Sequence, residues 1–211
     1  MRKRLVVVSV LLLLAGLVLL GISLENCRAR PEPEVRAVDL LVDISAFPLG
    51  WFVQGGPISA HDNFHILEHE DARDYASVGF APPEAKFPYE VTASQTIWNF
   101  GNSVYAAIEF YTRFRPEGPT TPKVLQGWSY HSKAANRFRL YCTHRTGYVR
   151  CVAIAQYGPF ISLFSAPIGA AYNMTTEDLE RVLKAIDERM AQRLGKPLPT
   201  VPVGTVTPAM Q

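Results

Sequence analysis

Only three cysteines, Cys27, Cys142 and Cys151, occur in the 211 residues, too few for a disulfide scaffold. No Gly-x-Ser-x-Gly turn and no His-Glu-x-x-His segment is present, which removes the usual sequence grounds for a serine hydrolase or a zinc protease. Gly55-Gly56 runs into Pro57 without a downstream glycine and lysine, so it reads as a turn and not as a phosphate cradle. A formal net charge of +2 gives no general attraction to nucleic acid, and no cofactor is indicated. Acid is also missing locally, since no Asp or Glu stands between Glu117 and Glu177.

What the chain does have begins at its N-terminus. Arg2, Lys3 and Arg4 precede Leu5 to Leu24, an uncharged run broken only by Ser9 and Ser23 among polar residues. At helical rise these twenty residues cover about 30 Å, the thickness of a hydrocarbon core. The basic flank favours an N-terminus in the cytoplasm and everything after the span outside it. A cleaved signal segment fits less well, because Leu24-Glu25-Asn26 lacks the small residues of a cleavage site. Lipidation of Cys27 is the other alternative, with Glu25 and Asn26 standing where small residues are wanted. Residues 1–27 are therefore read as the anchor or signal segment, and 28–36, with Pro31 and Pro33 among charges, as a stiff spacer. Residues 37–196 are expected to form one extracytoplasmic domain. The tail 197–211, with Pro197, Pro199, Pro202 and Pro208 and no acid, reads as disordered.

Within the domain, Asp39 to Phe47 suggests a strand or short helix, followed by a turn and a strand running into Gly55. Gln95 to Phe100 is expected as a strand. An Asn102 or Ser103 cap then opens the helix Val104 to Phe114, whose Val104, Ala107, Ile108, Tyr111 and Phe114 are expected to face a sheet. Strands follow at 124–131, 137–144, 148–156 and 159–165. Thr175, with Asp178 three residues on, starts a closing helix whose Leu179, Val182, Leu183, Ile186, Met190 and Leu194 share a stripe. Gly195-Lys196-Pro197 stops it. The expected fold class is α+β: a mainly antiparallel sheet carrying a mid-chain and a C-terminal helix, preceded by one transmembrane helix.

A two-residue turn at Thr146-Gly147 would pair Arg145 with Tyr148, His144 with Val149, Thr143 with Arg150 and Cys142 with Cys151. The cysteines would then share a non-hydrogen-bonded pair with Cα atoms about 4.5 Å apart, within disulfide reach. An oxidising compartment favours the bond.

Three constellations are candidates for function. His61, His65 and His69 stand four apart and are candidate zinc ligands, although a solvated polar segment is the blander reading. Lys133, Arg137, Arg139, Arg145 and Arg150, together with Lys123, fall in the acid-free span and suggest a basic face for anionic headgroups or envelope polymers. Residues 61–90 are the reverse, seven acids against Arg73 and Lys86, and the expectation is that this acidic stretch folds across the basic strands and neutralises them. Exposed aromatic side chains beside the arginines would turn that expectation toward binding. Trp51, Trp98 and Trp128 are expected in or near the core.

From Gln95 to Leu194 the layout of a helix with Val104-Tyr105-Ala106-Ala107, strands with Cys142 and Cys151, and a closing helix with Leu183-Lys184-Ala185-Ile186-Asp187 resembles small extracytoplasmic α+β sensor domains. Those of mycobacterial serine/threonine kinases are an example, although they typically carry two disulfides. The resemblance implies binding or sensing, not catalysis. The functional expectation is thus a membrane-tethered extracytoplasmic binding or sensing module, meeting an anionic envelope polymer, lipid headgroup or envelope protein. Its alternatives are a metal-dependent enzyme using the histidine segment and a structural subunit of an envelope assembly.

Overall fold

Ten consecutive residues of one strand, Tyr148–Tyr157, are almost wholly apolar or half-buried, the mark of a strand covered on both faces. The computed structural model describes residues 35–61, 72–83, 93–114, 125, 128–145 and 147–195. The N-terminal apolar run, Cys27, His65, His69 and the tail lie outside them. No described helix is long and apolar enough to cross a membrane.

Six strands form one antiparallel sheet: β1 (Phe52–His61), β2 (Asp74–Ala81), β3 (Ala93–Asn99), β4 (Arg137–Arg145), β5 (Tyr148–Tyr157) and β6 (Phe160–Ile168). Their spatial order is β1-β2-β3-β6-β5-β4, and every described neighbour is antiparallel. The expected α+β class with an antiparallel sheet is therefore what forms. Helices α1 (Ser103–Thr112) and α2 (Thr176–Arg193) cover opposite faces. Alternation along the strands explains how. In β5 and β6, Cys151, Ala153, Ala155, Phe160, Phe164 and Ala166 join Leu179, Val182, Leu183, Ile186 and Met190 of α2 in one core. The intervening Ile154 and Ile161 join Trp98, Ala106, Phe110 and Phe114 in a second core under α1.

Helix α2 begins as its sequence indicates, with the Asp178 N–H donating to Thr175 Oγ1 (3.2 Å) and the Thr175 N–H donating to Asp178 Oδ2 (2.9 Å). That reciprocal pair satisfies two backbone donors that a helix start leaves open. Each fully buried side chain of its stripe contributes roughly 1.5–3 kcal/mol relative to exposure. Asn102 caps α1 by accepting the Tyr105 N–H at 2.7 Å.

The short helix allowed over 39–47 is what forms, as two 3-10 turns, Ala37–Leu40 and Ile44–Ala46, whose backbone groups polar side chains take up; two other elements differ from the sequence expectation. The fully buried Asp74 accepts the Ala37 N–H (2.6 Å), and Gln95 accepts the Val42 N–H (2.6 Å). From α2, Arg189 and Arg181 donate to the carbonyls of Asp39 (2.9 Å) and Ala46 (3.2 Å). Among the described residues of 124–131 there is no strand; the chain after Trp128 is instead drawn onto α2 by Asp187. Strand β2 has a weak sequence pattern, interrupted by Asp74 and Gly79, yet Asp74, Ala76, Val78 and Phe80 alternate into the α2-side core.

Candidate functional site

The β4–β5 hairpin adopts the anticipated register, Arg145 opposite Tyr148, Thr143 opposite Arg150 and Cys142 opposite Cys151. Gly147 closes the turn at φ +86°, a conformation glycine adopts without strain. The cysteines are bonded, with Cα atoms 4.0 Å apart. Their side chains belong to the α2-side core, so by alternation Arg137, Arg139, Tyr141, Thr143 and Arg145 point to the α1 side, and Arg150 joins them across the pair with Thr143.

These arginines have different attachments. Arg139 donates from Nη1 to the carbonyls of Phe110 (3.2 Å) and Phe114 (3.0 Å), and its guanidinium lies 4.5 Å from the Phe110 ring centre. It thereby supplies a hydrogen bond and positive charge to the Phe110 carbonyl, which the last turn of the helix leaves open, and ties down Phe114 just beyond that end. Arg137 donates to Gln156 Oε1 (2.6 Å) and, from Nε, to Tyr111 Oη (3.3 Å), and it lies 5.4 Å from the Tyr111 ring centre. Arg150 Nε donates to Ser165 Oγ (2.8 Å). Arg145 is exposed at the hairpin tip.

No carboxylate pairs with any of the four among the described residues, whose ion pairs lie elsewhere. The one described acid on this side, Glu109, is buried and bonded to Arg113 at 3.1 Å. Asp74, the described acid of the 61–90 stretch, faces the other core and binds Ala37; the remaining acids of that stretch lie outside the described residues. Lys133 does not belong to this face. Its backbone N–H donates to Asp187 at 3.1 Å on the α2 side, because residues 128–136 cross over that helix before β4 begins.

Helix α1 corrects a second expectation. The line Ala106, Phe110 and Phe114 is buried, whereas Val104 is 70% exposed, Ile108 51% and Tyr111 49%. Val104, Ile108 and Tyr111 therefore form an outward apolar stripe, with Tyr105 also exposed beside it. Tyr111 brings this stripe against Arg137 and Arg139. Aromatic side chains are thus exposed beside the arginines.

On the α2 side, buried Asp187 accepts four hydrogen bonds: Tyr157 Oη (2.6 Å) and Ser132 Oγ (2.6 Å) on Oδ1, and Tyr130 Oη (2.7 Å) and the Lys133 N–H (3.1 Å) on Oδ2. Burial, with the adjacent Asp187 carboxylate, pushes both phenols well above the ordinary tyrosine range. The sequence reading does not include this hub, whose signal is an acid one residue after Ile186 in an apolar stripe. A crevice of about 140 Å³ lies between Trp128, Tyr130, Phe138 and Leu140, below the roughly 300 Å³ at which small-molecule sites begin.

His61 ends β1 opposite Asp74, and no group of three potential metal ligands gathers among the described residues. Trp51 and Trp98 are buried, and Trp128 is half-buried with Nε1 donating to Glu180 Oε2 at 3.4 Å. Compared with known proteins, the chain matches no family model, no curated protein and no solved structure.

Proposed function

We propose that the chain is a single-pass membrane protein whose α+β domain lies outside the cytoplasm and binds or senses an anionic partner of the envelope, without catalysing a reaction. One observation carries the binding reading: Arg137, Arg139, Arg145 and Arg150 share the α1 face with exposed tyrosines, while the one described acid there is buried and paired. The tether is supported by the charge-free run Leu5 to Leu24 behind Arg2-Lys3-Arg4. Binding or sensing is also what the resemblance to extracytoplasmic sensor domains implies.

The test uses the full chain in neutral detergent, with anionic lipid added to the micelles in one arm and a soluble polyanion offered in the other. Binding in at least one arm should weaken with salt, as exposed charges are screened over about 8–10 Å at physiological ionic strength. Neutralising Arg145→Gln and Arg150→Gln together should weaken it about 30-fold, at about 1 kcal/mol per basic side chain near an anionic surface. Salt-independent binding, or binding unchanged in the double variant, refutes the role of this face. The topology is checked separately: residues 37–211 should resist protease in vesicles oriented cytoplasm-side-out, and digestion there refutes the extracytoplasmic placement.

A further inference from the structure

Strand β4 ends the sheet, paired on one side only, with β5, among the described residues. The hairpin register decides which of its groups face the open side. Cys142 and Cys151, with Cα atoms 4.0 Å apart, form a non-hydrogen-bonded pair, and such pairs alternate with hydrogen-bonded ones along an antiparallel ladder. Arg137, Arg139, Tyr141, Thr143 and Arg145 therefore bond inward to β5, whereas Phe138, Leu140, Cys142 and His144 turn their N–H and C=O groups to the free edge. No described backbone group bonds them there. Cys142 is buried, Phe138 and Leu140 are half-buried and His144 is exposed. We infer that this edge takes up an extended segment of another protein as an added strand, one in which acidic residues alternate with apolar ones. The inference rests on the anion-binding reading above and names the partner as an acidic peptide segment.

The two faces of the edge set that pattern. A strand added to β4 places alternate side chains on opposite faces of the sheet. On the α1 face they meet Arg137, Arg139 and Arg145, whose charges no described carboxylate neutralises, and opposite charges on neighbouring strands attract. On the α2 face they meet the crevice of about 140 Å³ beside Phe138, Leu140 and Cys142, lined also by Trp128 and Tyr130. Its volume is close to the roughly 150 Å³ of an apolar cavity that accepts benzene, so it suits one leucine-sized or aromatic side chain.

The two end strands of the sheet also differ in how open they are to pairing. In β1, register shifts fall between Val53 and Gly55 and between Gly55 and Ile58, and Pro57 lies within the strand; bulges and proline are devices that discourage edge pairing. Strand β4 has nine residues, longer than the usual five or six or so, and pairs with β5 from Arg137 to Arg145 without a shift. A second copy of the chain fits this edge less well, because two β4 strands side by side bring the arginines of both onto one face, where like charges destabilise the pair. The chain's own residues after Gly195 include no acid to meet the arginines.

The experiment uses the full chain in neutral detergent and a short synthetic peptide in which glutamate alternates with leucine. Amide hydrogen exchange at Phe138, Leu140 and His144 should slow by about 10-fold or more at saturating peptide, since an amide in a ladder exchanges only on opening. A peptide with lysine in place of glutamate should not bind. Two N-methylated peptides, one methylated on the leucine amides and one on the glutamate amides, block opposite edges of the extended chain. One should bind about 30-fold more weakly than the other, because only one set of amides faces β4. Unchanged exchange at the three amides, equal affinity of the two methylated peptides, or equal binding of the lysine peptide overturns the inference. So does protection of the same amides on concentrating the protein alone, which assigns the edge to a second copy. The two readings fail separately: polyanion binding that falls with Arg145→Gln and Arg150→Gln, with no protection by the peptide, removes strand addition and leaves the anion-binding face. Protection by a peptide whose affinity those variants leave unmoved keeps strand addition and removes that face, and with it the acidic half of the pattern.

Discussion

Replacing Asp187 by alanine tests whether one buried carboxylate holds the segment before β4 onto α2. Asp187 is 4% exposed and accepts four hydrogen bonds. Hydrogen bonds to charged groups contribute about 1.5–3 kcal/mol each, and an orphaned buried donor costs about 1–3 kcal/mol. Tyr130 and Ser132 are only half-buried and can turn to water, so most of the loss falls on Tyr157, whose hydroxyl is enclosed. Asp187→Ala should therefore destabilise the domain by about 3–5 kcal/mol, a large share of the 5–15 kcal/mol typical of a domain. Urea unfolding of residues 35–211, followed by tryptophan fluorescence, reads the loss.

A double-mutant cycle identifies its cause. Tyr157→Phe alone should cost about 2 kcal/mol, and in the Asp187→Ala background it should cost nothing or stabilise, since it removes the orphaned hydroxyl. Hydrogen exchange should also quicken at Lys133 and Ala135, whose N–H groups bond to Asp187 (3.1 Å) and to Ser132 Oγ (2.9 Å). If Asp187→Ala lies within about 1 kcal/mol of wild type, or the two substitutions are additive, the hub does not hold the segment.

The same hub sets an alkaline limit. With the folded phenols of Tyr130 and Tyr157 held above the ordinary value by burial and Asp187, the folded state keeps protons that the unfolded state releases. Stability is then complete below pH about 10 and falls above it by up to about 1.4 kcal/mol per pH unit for each tyrosine. Tyr130→Phe with Tyr157→Phe should flatten the decline between pH 10 and 11, and an unchanged slope refutes it. Reducing Cys142–Cys151, which closes a loop between residues nine apart, should cost about 3 kcal/mol on the chain-entropy model; an unfolding midpoint unmoved by reductant counts against a stabilising bond. Arg139→Gln should destabilise by about 1–2 kcal/mol by uncapping α1, whereas Arg145→Gln should stay within about 0.5 kcal/mol of wild type and weaken anion binding. Equal thermal shifts in the two variants would show that they play the same part.

The elements legible in the sequence are those whose geometry is fixed within a few residues. A two-residue turn at 146–147 determines every pair up the hairpin, so Cys142 opposite Cys151 follows by counting. The parity of that register also places Arg137, Arg139 and Arg145 on one face and brings Arg150 to join them. Thr175 and Asp178 close a box within one helical turn. Where the outcome depends on a distant partner, local reading fails. Lys133 separates from the arginines because Asp187, distant in sequence, draws its backbone to the other side of the sheet. Helix α1 is the sharper case. The lines Val104, Ile108, Tyr111 and Ala106, Phe110, Phe114 are both apolar at helical spacing, and periodicity cannot rank them. Tertiary structure ranks them: Arg139 reaches the carbonyls of Phe110 and Phe114 from the edge strand, and Phe114 stacks edge-on against Trp98 with ring centres 5.0 Å apart. Once one line is committed to the sheet by contacts of that kind, the other is left facing outward as apolar as the first.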